Sequence, residues 1–225
     1  MRINRYIAHC GVASRRKADD LIAAGRVTVN GSTVRDFSVD VKDSDVVEVD
    51  GTAVSLPGKT TTVAWYKPVG VTTTLSDPHA VATLHDALPK QYQGLKPAGR
   101  LDRLSEGLLI LTDDGSLIQE LTHPSFEHEK EYYVELQDVI HDEKLKQLAK
   151  GISLQEGNTG KAEVERLGRK KFRIVLKQGW KRQIRRMVEA VGNSVTMLKR
   201  VRIGKVKIGT MKPGEIIEIT RQDIL

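Results

Sequence analysis

Two short amphipathic stretches at the start of the chain predict a pair of helices. Apolar positions share one helical face over residues 4–9, and Gly11 ends that stretch. Ser14 is then a suitable N-cap for a second helix that runs through about Ala24 and stops at Gly25. The chain therefore opens with a helical pair.

Short alternating segments follow these helices. Residues 26–29 read as a strand that enters a tight turn at Asn30-Gly31, and further short strands are expected near 32–35 and 45–49. Residues 1–56 are accordingly predicted to form a small α+β domain, with a linker over 57–60.

Residues 61–225 form the second predicted domain, in which strands and helices mix without βαβ regularity. The predicted strands cover residues 61–66, 107–112, 130–136, 161–166, 172–177, 202–208 and 215–219. The predicted helices are one capped by Ser116 that ends at Leu121, and two over residues 142–150 and 182–191. This order indicates an α+β fold with a mixed, mainly antiparallel sheet.

Composition is that of an ordinary globular protein, with 39% hydrophobic and 29% charged residues. The longest uninterrupted aliphatic runs are four residues, as in 108–111, whereas a membrane span needs about 20. A membrane protein and a secretory signal are therefore not expected. The single cysteine, Cys10, fits a reducing compartment, so a cytoplasmic location is predicted.

The net charge of +7 and its distribution indicate a polyanionic partner. From Arg166 to Lys212 there are 16 Lys or Arg and one acid, Glu189. Residues 1–35 carry seven basic side chains against two acids, whereas residues 36–58 are acidic. We assign the acidic stretch to solubility and the basic ones to nucleic acid.

The front of the chain resembles the S-four-like RNA-binding domain of ribosome-associated proteins. The matching segments are residues 14–19 (SRRKAD), 24–27 (AGRV) and 29–31 (VNG). The resemblance implies RNA contacts from Arg15, Arg16, Lys17 and Arg26.

The rest of the chain resembles pseudouridine synthases of the RsuA/RluB type. The matching segments are residues 66–70 (YKPVG), 99–107 (GRLDRLSEG) with 108–115 (LLILTDDG) behind it, 129–132 (EKEY) and 179–187 (GWKRQIRRM). One departure is visible, because Trp180-Lys181 stands where a basic or Asn-containing pair is expected. This departure affects the expected contacts with the substrate more than the expected reaction.

The resemblance implies that the protein isomerises a specific uridine in ribosomal RNA to pseudouridine. Uracil leaves its ribose, turns over and rejoins through carbon, with no redox change, so no metal or organic cofactor is expected. The expected partner is ribosomal RNA or a ribosomal assembly intermediate, and the protein is expected to be a monomer.

By the same resemblance Asp102 is the catalytic aspartate, acting by attack on the base or sugar or by proton abstraction from the sugar. Each role needs an ionised carboxylate, which burial disfavours and a nearby guanidinium favours. Arg185 is the candidate partner.

The resemblance makes Tyr132 the residue that stacks on the target base, and Ile184 its packing partner from the other side. Strand alternation allows only one of Tyr132 and Tyr133 to face the pocket. Arg100 is two residues before Asp102 and is expected to fill the space of a flipped nucleotide or to hold its phosphate.

Arg182 and Arg186 have the i, i+4 spacing of one helical face, which suits two phosphates or a solvated surface. Lys67 and Pro68 are interpreted as structural.

Two other functions compete with the isomerase. A non-catalytic rRNA-binding assembly factor would not need an acid at Asp102, since a carboxylate repels phosphate. A glycoside-type hydrolase would pair Asp102 with Asp113 at a separation of about 5–10 Å, but a straight strand over 108–112 would hold them much farther apart.

Overall fold

The computed structural model describes residues 1–56, 58, 60–74 and 81–225. The chain divides into two compact units, Met1–Thr60 and Thr61–Leu225. Pro57 and Lys59 of the predicted linker 57–60 lie outside the described residues.

The first unit has the predicted helical pair packed with a small antiparallel sheet. Its elements are α1 (Ile3–His9), α2 (Arg15–Ala23), β1 (Val27–Val29), β2 (Ser32–Thr33), β3 (Val47–Val49) and β4 (Thr52–Val54). The sheet order is β2-β1-β3-β4. As predicted, Ser14 caps α2, its hydroxyl accepting from the Lys17 amide at 3.3 Å. Ile3, Ile7, Ile22 and Val27 are buried in the core, which gives each aliphatic side chain about 1.5–3 kcal/mol.

The second unit is built on one large sheet. Its strands are β5 (Thr62–Lys67), β6 (Lys96–Pro97), β7 (Glu106–Thr112), β8 (Lys130–Leu136), β9 (Ser153–Leu154), β10 (Gly157–Asn158), β11 (Glu163–Gly168), β12 (Lys171–Leu176), β13 (Val195–Ile203), β14 (Val206–Lys207) and β15 (Ile216–Glu218). Its helices are α3 (Leu84–Ala87), α4 (Gly115–Thr122), α5 (Asp142–Lys150), α6 (Gln183–Ala190) and α7 (Arg221–Ile224), with 3-10 turns at Lys90–Tyr92 and Pro124–Phe126. Within the described ranges, no helix is both long and apolar enough to span a membrane.

The main path of the large sheet runs β11-β12-β8-β13-β7-β5-β15. The pairs along it are antiparallel except β13 with β7, which is parallel. The α+β class and the mainly antiparallel sheet are thereby confirmed. Separate apolar clusters pack on the sheet, one of them around Val134, Phe172, Ile174 and Met187.

Two local predictions are wrong. Helix α4 is capped by Asp114, whose carboxylate accepts from the amides of Ser116 and Leu117, because its side chain reaches the first free N–H groups. The single strand predicted over 202–208 is instead the end of β13, which begins at Val195 and ends at Ile203, and the whole of β14, which pairs with it. The cations of β13 break the apolar alternation that marks a strand in sequence.

Gly107 allows the parallel pair at the centre of the sheet to form. In the register of β13 and β7, Arg200 lies opposite Gly107. A Cβ on Gly107 would lie 2.3 Å from the Arg200 carbonyl oxygen, and its φ is +105°. Only glycine tolerates both conditions, so this residue sets how closely β13 approaches the segment that carries Asp102.

Candidate active site

A cavity of about 780 Å³ opens in the second unit beside the centre of the large sheet. Three parts of the chain line it: residues 99–103 before β7, Tyr132 and Arg200 on neighbouring strands, and residues 178–184 leading into α6. Its volume is that of an ordinary ligand site. Three of the four segments that carry the family resemblance thus meet in one place, namely 99–107, 129–132 and 179–187.

The described lining of this cavity carries a single carboxylate, that of Asp102, which is half-buried. The cationic residues that share the lining are Arg100, Arg103, Lys130, Lys181, Arg182 and Arg200. Among the described residues, no hydrogen bond or ion pair within 4 Å engages the Asp102 carboxylate. The acid is therefore free to meet a ligand.

Residues 100–105, here called the Asp102 loop, are held by hydrogen bonds to each of their carbonyl groups. The Leu101 carbonyl accepts from the Thr73 hydroxyl at 2.7 Å, and the Arg103 carbonyl accepts from the Gly70 amide at 2.8 Å. Within the loop, the Asp102 carbonyl accepts from the Ser105 amide at 3.0 Å. These bonds fix the backbone on which the carboxylate stands.

Buried cations supply the remaining donors to the Asp102 loop. Lys67, which is 0% exposed, donates to the Ser105 carbonyl at 2.7 Å and to the Pro68 carbonyl at 2.9 Å. Burial and, secondarily, the charge of Arg200 lower the pKa of Lys67 to about 8, while Asp102 and Glu106 oppose the shift. These contacts agree with the structural interpretation of Lys67.

The Arg185 side chain also contacts the backbone of the Asp102 loop. The guanidinium donates to the Leu104 carbonyl at 2.8 Å and to the Val195 carbonyl at 3.0 Å. Burial and the charge of Arg182 lower the pKa of Arg185, and Asp102 acts in the opposite direction. The two side chains are thus electrostatically coupled, but they do not make the direct ion pair that the sequence suggested.

Arg200 lies beneath the cavity and was not identified from the sequence. Its Nε donates to the Leu108 carbonyl at 2.7 Å, its Nη1 lies 3.4 Å from the Arg100 carbonyl oxygen, and its Nη2 is buried without a described partner. Arg200 lies on β13, most of which the sequence pattern did not predict. The surplus of cations over residues 166–212 was the one sequence feature that included this residue.

Lys130, at the start of β8, is a second lining cation that the sequence pattern did not single out. Burial and the charge of Arg200 lower its pKa to about 8. Proximity of a second buried cation to a desolvated lysine favours its neutral form. Lys130 and Arg200 therefore repel each other at the floor of the cavity, and an anionic ligand would reduce this repulsion.

Tyr132 and Ile184 both line the cavity and both pack in the core. Tyr132 is 9% exposed, whereas Tyr133 on the other face of β8 is 43% exposed, which confirms the predicted alternation. In the sheet Tyr132 lies opposite Arg200 of β13. Tyr132 thus borders the cavity and is otherwise packed in the core.

The arginines predicted to hold phosphate fall into two groups. Arg100 and Arg182 are exposed and line the cavity. Arg186 instead donates two hydrogen bonds to Glu156 at 2.7 and 2.8 Å. Arg182 precedes α6 in a left-handed conformation with φ of 53°, so the two are not successive positions on one helical face.

In the first unit, Arg15, Arg16 and Lys17 are exposed on the first turn of α2. Arg26 is paired with Asp50 through hydrogen bonds of 2.7 and 2.5 Å. The first three therefore offer an unpaired basic surface among the described residues, whereas Arg26 already has an acidic partner.

Asp113 lies outside the cavity lining. Its carboxylate accepts from the Thr61 amide at 2.8 Å, at the far end of β7 from Asp102. The geometry thus gives the paired-carboxylate hydrolase no second acid. In the described part of the chain, no three His, Cys, Asp or Glu side chains cluster as a metal site.

Comparison with known proteins gives full-length relatives. A family model described as RNA pseudouridylate synthase matches residues 61–190, and one described as S4 domain matches residues 1–47. The ribosomal large subunit pseudouridine synthase B of Bacillus subtilis is 37% identical, over 99% of this chain and 93% of its own length. An uncharacterized RNA pseudouridine synthase of Aquifex aeolicus is 36% identical, over 100% of this chain and 94% of its own.

A solved structure agrees with these relatives. A crystal structure of a pseudouridylate synthase superposes with a TM-score of 0.73 at 29% identity, covering 100% of this chain and 98% of that one. From the sequence matches and this fold, we conclude that the chain belongs to the RNA pseudouridylate synthase family and carries an S4 domain at its front.

Proposed function

We propose that this protein converts a specific uridine of ribosomal RNA to pseudouridine, with Asp102 as the reacting carboxylate. The observation that carries the proposal is the single acid in the described lining of a cation-lined cavity, held on a loop whose carbonyls all accept hydrogen bonds. The choice of ribosomal RNA rests on the name of the Bacillus subtilis relative, which also makes large-subunit RNA the first place to look.

The reaction breaks the bond between N1 of uracil and C1′ of ribose and forms one between C5 and C1′. The proton on C5 is lost and N1 gains one, so atoms and electrons balance without an oxidant. Asp102 either adds to the base or sugar or removes a proton from the sugar. All three roles need its ionised form.

The target uridine must leave its stack before the carboxylate can reach it, at a cost of a few kcal/mol. We propose that Tyr132 stacks on the flipped uracil, which contributes roughly 1–3 kcal/mol, and that Ile184 packs from the other side. Arg100, exposed at the cavity mouth, would fill the vacated space or hold the phosphate of the flipped nucleotide.

Arg185 is proposed to act on Asp102 in two ways. Its hydrogen bond to Leu104 positions the Asp102 loop, and the attraction between the two charges, which acts to raise the pKa of Arg185, couples the side chains. Arg182, Arg15, Arg16 and Lys17 would bind phosphates, whereas RNA contacts by Arg26 and Arg186 would compete with Asp50 and Glu156.

Asp102→Asn tests the proposal. It should abolish pseudouridine formation while RNA affinity stays within a few-fold, because the amide keeps the size but not the charge. Asp113→Asn is the matched control, since that residue lies outside the cavity, and it should keep full activity. Turnover by Asp102→Asn at the wild-type rate would disprove the mechanism.

Mapping pseudouridines across the host ribosomal RNA, with and without the gene, identifies the target. One or a few sites should be lost on deletion and return with the wild-type gene but not with Asp102→Asn. An unchanged map would favour the alternative of a non-catalytic rRNA-binding assembly factor. Incubating naked RNA and purified assembly particles separately shows which is the substrate. Monomeric state, cytoplasmic location and independence of cofactors stay predictions.

A further inference from the structure

We propose that Trp180 is a stacking platform for an RNA base next to the flipped uridine and thereby helps to select the RNA. This inference rests on the proposed function only in taking the cavity beside Asp102 as the RNA site. Trp180 stands in the pair that departs from the family pattern, so the proposal concerns this chain's own residue.

The position of Trp180 fits a base-stacking role. The residue lines the same cavity as Asp102 and is half-buried, so part of its ring remains accessible from the cavity. The other tryptophan, Trp65, is 1% exposed in the core. An accessible indole offers a π-face that every base can stack on.

The indole is supported from behind. Its Cη2 atom lies 3.8 Å from the position that a Cβ would take on Gly157, in the two-stranded ribbon of β9 and β10. This distance places the edge of the ring next to the ribbon.

The ribbon and the Trp180 backbone are themselves tied to α6. Arg186 of α6 donates two hydrogen bonds to Glu156, directly before Gly157, and the Trp180 amide donates to the Gln183 side chain at 3.0 Å. A side chain whose backbone is fixed and whose ring edge lies next to the ribbon loses little conformational entropy when a base binds. This arrangement gives Arg186 a positioning role in place of a direct phosphate contact.

Cations flank the indole on the side of the helix. Lys181 and Arg182 follow Trp180 directly, are exposed, and line the cavity. A nucleotide whose base stacks on Trp180 would therefore have basic groups close to its phosphate. Aromatic faces interleaved with cations are the usual composition of a single-stranded RNA groove.

Tryptophan fluorescence tests whether a base approaches this ring. The probe is a single-stranded oligouridylate of about ten nucleotides, compared with an abasic strand of the same length and charge. Oligouridylate should quench the emission and the abasic strand should do so far less. Trp180→Phe should lose the quenching while keeping most of its affinity, measured by anisotropy of labelled oligouridylate. Quenching that persists in Trp180→Phe would overturn the proposal, because it would come from Trp65.

Affinity provides a second test that needs no catalysis. Trp180→Leu should weaken oligouridylate binding by on the order of tenfold and leave abasic-strand binding nearly unchanged. Tyr133→Leu, which removes an exposed aromatic from the opposite face of β8, is the matched control and should alter neither. Equal binding of oligouridylate by Trp180→Leu and wild type, or an equal loss for both strands, would refute stacking.

With the mapped ribosomal RNA fragment, Trp180→Leu should raise KM by a similar factor at little cost in kcat, and Trp180→Phe should restore KM. Failure of the proposed function would appear separately, as wild-type protein that binds both strands but forms no pseudouridine. A fall in kcat of Trp180→Leu at unchanged KM would contradict a role in RNA selection.

Discussion

Lys67 shows how a single buried charge can be structural and still respond to pH. Lys67 is fully buried, and its ammonium group donates to the carbonyl of Pro68 and to that of Ser105 in the Asp102 loop. The sequence identified Lys67 as structural from the following proline, but it could not show the nearby Arg200, whose charge adds to the lowering of the Lys67 pKa. Contacts between residues so far apart in sequence follow from strand pairing and not from local pattern.

The lowered pKa of Lys67 predicts a pH-dependent contribution to stability. Between its folded pKa of about 8 and its ordinary value near 10.4, the unfolded chain keeps a proton that the folded protein has released. The free energy of unfolding therefore rises with pH in this window, relative to Lys67→Met, by about 2 kcal/mol between pH 7.5 and 10. Denaturant titrations of both proteins at the two pH values measure the difference.

Lys130 has a similarly lowered pKa, but it is present in both proteins and cancels in this comparison. A stability difference between wild type and Lys67→Met that stays constant from pH 7.5 to 10 would contradict the assigned pKa.

At the scale of elements, local patterns defined those strands and helices whose burial alternates simply. Strand β8 and helix α5 have the bounds that the sequence predicted. Strand β13 escaped prediction because Lys199, Arg200 and Arg202 interrupt it; Arg200 and Arg202 find carbonyl or carboxylate partners on other elements. The tertiary contacts of these side chains stabilise a strand that the local pattern does not predict. The cavity residues on this strand were therefore not predicted either.

The close pairing of β7 and β13 predicts that Gly107 cannot be replaced. Gly107→Ala should lower the free energy of unfolding by at least about 3 kcal/mol, or prevent folding, because the new methyl group meets the Arg200 backbone at an unfavourable φ. Gly94→Ala is the matched control: nothing lies within 4 Å of its Cβ and its φ is ordinary, so stability should change by no more than about 0.5 kcal/mol. Chemical denaturation measures both, and wild-type stability of Gly107→Ala would show that β13 does not approach as described.

At the scale of the whole molecule, the uneven charge was the most informative property of the sequence. It pointed to a polyanion, and the basic surfaces of both units carry that charge. The charge distribution could not distinguish cations that face solvent, such as Arg15, from those that form ion pairs within the protein, such as Arg26 and Arg186. That distinction depends on which acid the fold brings alongside each cation.

Loss of the basic turn of α2 should lower RNA affinity and flatten its salt dependence. Replacing Arg15, Arg16 and Lys17 by Gln removes up to three phosphate contacts, so the slope of log affinity against log salt should fall by about 2. Replacing Lys144, Lys146 and Lys150, which are exposed on α5, is the charge-matched control and should leave the slope nearly unchanged. Binding titrations at several salt concentrations measure both slopes.

The chemical step in a saturated complex should not depend on these three side chains, because they lie in the first unit and the cavity lies in the second. A reduced single-turnover rate of the Arg15, Arg16 and Lys17 variant at saturating RNA would contradict this division.

The hydrogen bonds to every carbonyl of the Asp102 loop have a consequence for recognition. A backbone segment whose carbonyls all accept hydrogen bonds would lose some of these bonds by rearranging when a ligand arrives. The RNA, rather than the protein, then has to change conformation to place its uridine in the cavity. We therefore expect stretches of RNA that are cheap to deform, such as loops and mispaired helices, to be modified faster than stable duplexes containing the same bases.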